Sequence, residues 1–147
     1  TNIPILIKIS PDIDDNNIKE ISDIAIKNNI SGVIITNTTN KNRKSLLSEH
    51  KNEDGGLSGV PLQEISTLMI QKFYQELKGK VPIIGVGGIN SGKSAYEKIK
   101  AGASLLQLYT GFVYKGPSIV KDIKKELIEI LKNDGYQNIT EAIGKNL

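Results

Sequence analysis

The stretch Ile83-Ile84-Gly85-Val86-Gly87-Gly88 decides the fold of this chain, together with a second apolar run, Leu105-Leu106-Gln107-Leu108-Tyr109-Thr110. Each run is typical of a short buried strand and stops at residues that can present backbone N–H groups to an anion. Residues 91–102, between the two runs, have the pattern of a helix. A strand, a glycine turn, a helix and a further strand form the closing unit of a (β/α) barrel, whose last loops commonly hold a phosphate. The sequence therefore predicts a phosphorylated ligand here.

The same alternation of strand and helix extends through the rest of the chain. Apolar runs predict strands over 4–10, 32–36, 81–86 and 104–109, and helical periodicity predicts helices over 16–28, 61–77, 91–100 and 117–131. Continuous apolarity is typical of parallel strands that are covered on both faces. Four such units with right-handed crossovers make half of a (β/α)8 TIM barrel, although a flavodoxin-like open sheet has a similar alternation. Polar residues at the strand ends and the double glycine after the third strand favour the barrel.

Length limits how much of a barrel this chain can form. A complete eight-stranded barrel typically needs about 250 residues, and the chain has 147. We therefore expect residues 1–147 to be the carboxyl-terminal half of a single α/β barrel domain, packed against residues that precede Thr1 in the complete protein. Half a barrel by itself would expose two sheet edges.

Composition excludes several classes of function. The 19 lysines and arginines are interspersed with 16 aspartates and glutamates, and a net charge of +3 without an aromatic-basic patch argues against nucleic acid. There is no cysteine, so a disulfide or a thiolate metal site cannot form within these residues. The one histidine, His50, lies in a polar run and is predicted to be solvated, and no residues have metal-ligand spacing. No apolar run approaches the length of a membrane span.

Polar residues at three strand ends are the candidates for chemistry. Lys8 interrupts the first apolar run, where it either faces a ligand or extends to solvent at the barrel mouth. Thr36-Asn37-Thr38-Thr39 supplies an amide and three hydroxyls, which can bind a planar heterocycle or satisfy their own turn. Gly55-Gly56-Leu57-Ser58-Gly59 ends a long polar loop and either lets backbone approach a ligand or forms a turn.

Charged residues on the helices are expected to be solvated. These are Glu20, Asp23, Glu97, Glu126 and the neighbouring lysines.

In their order along the chain, these motifs resemble those of the dihydroorotate dehydrogenase family. The resemblance rests on Ile7-Lys8-Ile9-Ser10-Pro11-Asp12, the Thr36 and Gly55 motifs, the two strand ends quoted first, and Ala101-Gly102-Ala103-Ser104. The ending Gly135-Tyr136 followed by Glu141-Ala142-Ile143-Gly144, and Tyr109-Thr110 leading to Gly116-Pro117, are similar to the membrane-associated, quinone-linked class 2 enzymes. The polar segment 40–54 departs from the common family pattern.

The resemblance implies a (β/α)8 barrel that holds FMN at its carboxyl face. It assigns Lys8 to the flavin pyrimidine edge and Asn37 and Thr38 to dihydroorotate or orotate. Tyr109 would also face the route of the quinone. The residues that the resemblance assigns to FMN, as flavin lining or as backbone donors to the phosphate, are Lys8, Thr36, Ser58, Gly59, Gly87, Gly88, Tyr109 and Thr110.

The resemblance also implies a reaction and partners. A proton leaves C5 of dihydroorotate, and a hydride passes from C6 to FMN. Ubiquinone then reoxidises the flavin, and the orotate formed is used in pyrimidine biosynthesis. The base is a serine expected upstream of Thr1, so no catalytic residue is expected in this chain. The amino-terminal half of the barrel would bring peripheral membrane association, at the mitochondrial inner membrane in a eukaryote or the cytoplasmic face of the bacterial inner membrane. Without the resemblance, an isomerase, a Schiff-base lyase acting through Lys8 or a non-catalytic half barrel remain alternatives.

Overall fold

Four short parallel strands lie in the sheet in the order in which they occur in the chain. The computed structural model describes residues 3–41, 43–44 and 46–146. The strands are β1 (Leu6–Ile9), β2 (Gly32–Ile35), β3 (Ile83–Val86) and β4 (Leu105–Gln107). The helices are α1 (Asp15–Lys27), α2 (Gln63–Leu77), α3 (Gly92–Lys100), α4 (Thr110–Lys115) and α5 (Ser118–Asn133).

The strand order separates a barrel from an open doubly wound sheet. In the register, Lys8 lies opposite Ile34, Ile34 opposite Ile84, and Ile84 opposite Leu105. A doubly wound sheet reverses its order at a switch point and carries helices on both faces. Here the order never reverses, and α1, α2, α3 and α5 pack side by side in sequence. The predicted partial (β/α) barrel is confirmed.

Only one face of the sheet is covered by the described residues. Ile9 of β1 is buried among the helices, whereas Leu6 at one edge and Leu105 at the other are 47% and 63% exposed. The sequence predicted strands covered on both faces, and the difference has a simple cause. The helices of a barrel cover its outer surface, while the inner face of each strand is covered by strands across the barrel.

Two apolar clusters hold the helices in place. The first lies between the sheet and α1 and α2, around Val33, Ile70 and Phe73, which are fully buried. The second lies between α3 and α5, around Ile99 and Ile119. Each such side chain contributes roughly 1.5–3 kcal/mol through the apolar area it removes from water. The outer layer is therefore a rigid support for the loops at the strand ends.

Helix α3 begins directly after the glycine turn and is capped from two directions. The Ser91 hydroxyl accepts from the Ser94 N–H at 3.2 Å, and the Ser94 hydroxyl accepts from the Ser91 N–H at 3.1 Å. The Glu126 carboxylate of α5 accepts from the Gly92 N–H. Reciprocal capping satisfies donors that have no partner within the helix. Glu126 was predicted to be merely solvated; it is exposed, but it also anchors the start of α3.

The short helix α4 was not predicted. The fourth strand was expected to continue to residue 109, but β4 ends at Gln107 and α4 starts at Thr110. A Cβ atom at Gly111 would lie 2.5 Å from the carbonyl oxygen of Ile89, so glycine lets the two loops approach closely. Gly116, with φ of 72°, ends the helix. Six residues are too few to show helical periodicity.

The polar segment after β2 is organised by one arginine and one aspartate. Arg43 donates from its guanidinium to the carbonyl oxygens of Lys51 and Glu53, at 3.1 and 2.6 Å, and to that of Gly55. Asp12 accepts from the Thr39 hydroxyl and, at 2.8 Å, from the Asn40 N–H. The charge-assisted hydrogen bonds from Arg43 therefore hold the two ends of the polar segment together.

Within the described ranges, no helix is both long and apolar enough to cross a membrane. His50 lies in a turn of 3-10 helix, is 70% exposed and pairs with Glu53 at 2.7 Å, so the predicted solvated histidine is confirmed.

Candidate functional site

A cleft of about 580 Å³ opens at the carboxyl edge of the sheet. Lys8 of β1 and the loops that follow β2, β3 and β4 contribute to its walls, together with the residues just before α2 and the start of α4. Every residue predicted to bind cofactor or substrate lines this one cleft: Lys8, Thr36, Asn37, Thr38, Ser58, Gly59, Gly87, Gly88, Tyr109 and Thr110.

Lys8 brings a positive charge to the cleft. Its neighbours Ile7 and Ile9 face the helices, so the alternation of a strand turns Lys8 to the opposite face, where it is exposed. Among the residues that the structure describes, no carboxylate lies within salt-bridge distance of its ammonium. Its charge is therefore available to a ligand in the cleft.

The loop after β2 divides its polar groups between the turn and the cleft. Thr36 is 2% exposed and donates from its hydroxyl to the Asn37 carbonyl at 2.8 Å. The Asn37 side-chain oxygen accepts from the Thr38 N–H at 2.8 Å, and both residues are exposed. Thr36 and the Asn37 side-chain oxygen therefore satisfy their own turn, while Thr36, Asn37 and Thr38 all line the cleft.

The glycine turn after β3 is packed tightly against α2. Gly87 and Gly88 have φ of 121° and 74°, which other residues rarely adopt. A Cβ atom at Gly88 would lie 2.4 Å from Cβ of Gln63, and one at Gly87 would lie 2.9 Å from Cβ of Ser66. The positive φ angles and the short distances to α2 therefore both require glycine at these two positions. Without side chains, the turn can pack against α2 and leave its backbone open to the cleft.

Another part of the rim joins two loops that are far apart in the sequence. The Ser58 hydroxyl lies 2.9 Å from the Thr110 hydroxyl. Gly59, with φ of 80°, packs beside Thr110, and Tyr109 is 78% exposed at the mouth of the cleft. Within the described part of the chain, the N–H groups of Gly59, Gly87, Gly88 and Thr110 donate no hydrogen bond. Several unpaired N–H groups on neighbouring turns are a donor set that suits a phosphate.

Some residues of the cleft were not predicted. Gln107 and Tyr114 line it, as do Val60, Pro61 and Leu62 at the start of α2. Gln107 could have been found, because it shares the inner strand face with Leu105. Tyr114 could not, because it lies on the unpredicted helix α4.

Lys98 contradicts the expectation that the helix charges are solvated. It is fully buried between α3 and α2, and it donates to the Gln63 carbonyl at 3.1 Å and to the Thr67 hydroxyl at 2.9 Å. Burial lowers the pKa of Lys98 to about 8, because removal from water disfavours the charged amine. Glu97, half-buried beside it, accepts from the Gln63 side-chain amide at 2.9 Å. Asp23, in contrast, is 61% exposed and pairs only with Lys19 on the same helix.

Metal ligands do not cluster in the described ranges, where no three histidine, cysteine, aspartate or glutamate side chains are placed to hold an ion. The groups in the cleft are instead one lysine, amides, hydroxyls and glycine N–H groups. A parallel barrel sheet with such a cleft at its carboxyl edge defines the chain as part of a (β/α)-barrel protein, a class whose active sites lie at this edge.

Comparison with known proteins identifies the family within that class. The family model for dihydroorotate dehydrogenase matches residues 1–131. The dihydroorotate dehydrogenase (quinone) of Nautilia profundicola is 51% identical over 98% of this chain, and that of Rhodospirillum rubrum is 45% identical over 96%. A DHODH crystal structure from Eimeria tenella, in complex with ferulenol, superimposes with a TM-score of 0.95 at 41% identity over 99% of this chain. The chain belongs to the dihydroorotate dehydrogenase family, and the resemblance read from its motifs is confirmed.

The match covers only part of each relative. The chain spans 39% of the Nautilia protein, 38% of the Rhodospirillum protein and 39% of the Eimeria structure. The mitochondrial dihydroorotate dehydrogenase (quinone) of Mus musculus is 46% identical over 95% of this chain, which spans 35% of that protein. More than half of each of these relatives therefore lies outside the region that matches this chain.

Proposed function

We propose that the protein containing this chain is an FMN-dependent dihydroorotate dehydrogenase that passes electrons to a quinone. One observation carries the proposal: ten residues from four separate strand ends, each assigned from motifs, line a single cleft in a chain of this family. The names of the relatives, dihydroorotate dehydrogenase (quinone), support the acceptor. Residues 1–147 would then be the carboxyl-terminal half of one barrel domain.

The cleft suits FMN in both charge and shape. The unpaired N–H groups of Gly59, Gly87, Gly88 and Thr110 would hold its phosphate, because the three glycines leave no side chain between their backbone and the cofactor. Ser58, Thr36 and Tyr109 would line the cofactor. When bound, FMN supplies the redox chemistry by accepting a hydride equivalent from dihydroorotate.

Three polar residues of the chain would act on substrate and flavin. Lys8 would stabilise negative charge at the flavin pyrimidine edge, since no carboxylate in the described structure neutralises it. Asn37 and Thr38, which line the cleft, would bind dihydroorotate through their side-chain amide and hydroxyl. The base that removes the substrate proton is expected to be a serine outside residues 1–147. The amino-terminal half of the barrel would complete the site and bring the protein to the membrane that holds ubiquinone.

The proposal is tested on the complete protein. Purified protein is expected to show flavin absorbance, to release FMN on denaturation and to reduce a soluble ubiquinone analogue only when dihydroorotate is added. Replacing the quinone by NAD+ or fumarate is expected to give little turnover. A colourless protein without this activity, in which borohydride trapped a carbonyl substrate on Lys8, would contradict the proposal and favour a Schiff-base enzyme.

A further inference from the structure

Lys98 stands out because it is a charged side chain that the proposed reaction does not use. It has no exposed surface, although it lies on a helix that carries Lys93 and Lys100 nearer to solvent. A buried ammonium is costly unless hydrogen bonds compensate it. Both bonds that compensate this one go to helix α2, at the Gln63 carbonyl and the Thr67 hydroxyl. The pKa of about 8 leaves the amine largely protonated at neutral pH.

These bonds converge on the first residue of α2. The Gln63 carbonyl accepts from Lys98 at 3.1 Å and from the Thr67 hydroxyl at 2.8 Å. The Gln63 side chain donates to Glu97 at 2.9 Å. Gln63 is thus held by two neighbouring residues of α3, one through its backbone and one through its side chain.

Gln63 in turn packs against the glycine turn of the cleft. The position that a Cβ atom would take at Gly88 is 2.7 Å from Cα and 2.9 Å from N of Gln63, which is backbone and cannot move aside. The position of Gly88 therefore depends on the position of the first residue of α2. Lys98 bonds to this same residue, Gln63, and does not itself line the cleft.

We propose that Lys98 is a positioning residue for the anion site: it fixes Gln63, and through Gln63 it sets the glycine turn Gly87-Gly88 that would receive the FMN phosphate. A lysine that only held α3 against α2 would not need to bond to Gln63. Lys98 does bond to Gln63, the residue that contacts the glycine turn. The part that concerns FMN rests on the proposed function, while the part that concerns the turn does not.

The experiment uses the complete protein, prepared without flavin and labelled with 15N-glycine. Lys98→Met removes the ammonium with little change in shape, and Thr67→Val removes only one of its acceptors. Lys93→Met, on the exposed face of α3, and Thr67→Ser, which keeps the hydroxyl, are the matched controls. The readouts are the amide shifts of Gly87 and Gly88, the FMN dissociation constant from flavin fluorescence, and the melting temperature of the apoprotein.

The proposal expects the two glycine signals to move in Lys98→Met and Thr67→Val and to stay in both controls. FMN affinity should fall about tenfold in Lys98→Met, since a buried charge-assisted hydrogen bond is lost. In the loaded enzyme the KM for dihydroorotate should change little. Unmoved glycine signals with a lowered melting temperature would overturn the proposal, because Lys98 would then only stabilise the helix contact. Wild-type protein that bound no FMN would defeat the proposed function, and the glycine signals would still decide the role of Lys98.

Discussion

The hydroxyl groups of Ser58 and Thr110 lie 2.9 Å apart, although 52 residues separate them in the chain. This hydrogen bond ties the loop that follows β2 to the start of α4, which follows β4. The glycine turn after β3 lines the same cleft, and the start of α4 lies beside it where Gly111 approaches the Ile89 carbonyl oxygen. Three loops that are separate in the sequence thereby form one continuous rim, and the pair is a direct test of that rim.

Removal of the Ser58–Thr110 hydrogen bond should weaken FMN binding, and the effects of substituting the two residues should not be additive. Ser58→Ala and Thr110→Val each lose the bond, so the double variant should be little worse than either single one. The coupling free energy expected for a neutral, partly buried pair is about 1 kcal/mol. The measurement is FMN affinity of the complete apoprotein by fluorescence. Ser118→Ala, at an exposed hydroxyl, is the control, and strictly additive effects of the two variants would contradict a shared rim.

Gly88→Ala should reduce FMN affinity at least tenfold, because the methyl group would overlap Gln63. Gly79→Ala is a close control for backbone strain. Gly79 has φ of 73°, against 74° at Gly88, and a Cβ atom there meets nothing within 4 Å. Flavin content per folded protein and melting temperature separate the two effects. Equal flavin content in both variants would argue against a phosphate site at this turn.

Lys8→Ala should slow the reduction of bound flavin by dihydroorotate at least tenfold, since a positive charge facing the cleft is lost. The KM for dihydroorotate should change far less, because the charge acts on the flavin rather than on the substrate. Stopped-flow absorbance at saturating dihydroorotate measures the first quantity. Lys27→Ala, an exposed lysine of α1, should behave as wild type. A reduction rate within about twofold of wild type would exclude the role given to Lys8.

Lys98 should titrate well below an ordinary lysine. Burial lowers its pKa from 10.5 to about 8, so between these values the unfolded chain binds more protons than the folded one. The unfolding free energy should therefore rise with pH across this window in wild type relative to Lys98→Met, by on the order of 3 kcal/mol in total. Below the window the cost of burying the charge is fully present. NMR titration of the lysine Cε signals should give the midpoint, and an ordinary value would refute this account.

Residues 1–147 expressed alone should associate or aggregate. The edge strands β1 and β4 have no outer partner among the described residues, and Leu6 and Leu105 are exposed beside them. Coexpression with the preceding part of the complete protein should restore a soluble complex. Light scattering measures the association, and a monomeric fragment that unfolded cooperatively would show that the half barrel is a domain in its own right.

The sequence alone predicted the four strands, four of the five helices, and ten of the residues that line the cleft. Continuous apolar runs that end in Gly87-Gly88 or Thr36-Asn37 indicate where strands end. They do so locally, because the backbone conformation of strand ends and tight turns favours particular residues. The parallel sheet then brings consecutive strand ends to one edge, so that separate motifs predict one site.

Only the tertiary structure decided what each polar group does there. Thr36 and Asn37 are adjacent in the sequence and both line the cleft, yet Thr36 is buried and Asn37 is exposed. Lys98 has the spacing of a surface lysine and becomes buried because α2 packs over it. Helix α4 packs closely against a distant loop, where Gly111 approaches the carbonyl oxygen of Ile89. Burial, hydrogen-bond partners and pKa arise from contacts between distant segments, and local sequence pattern does not contain them.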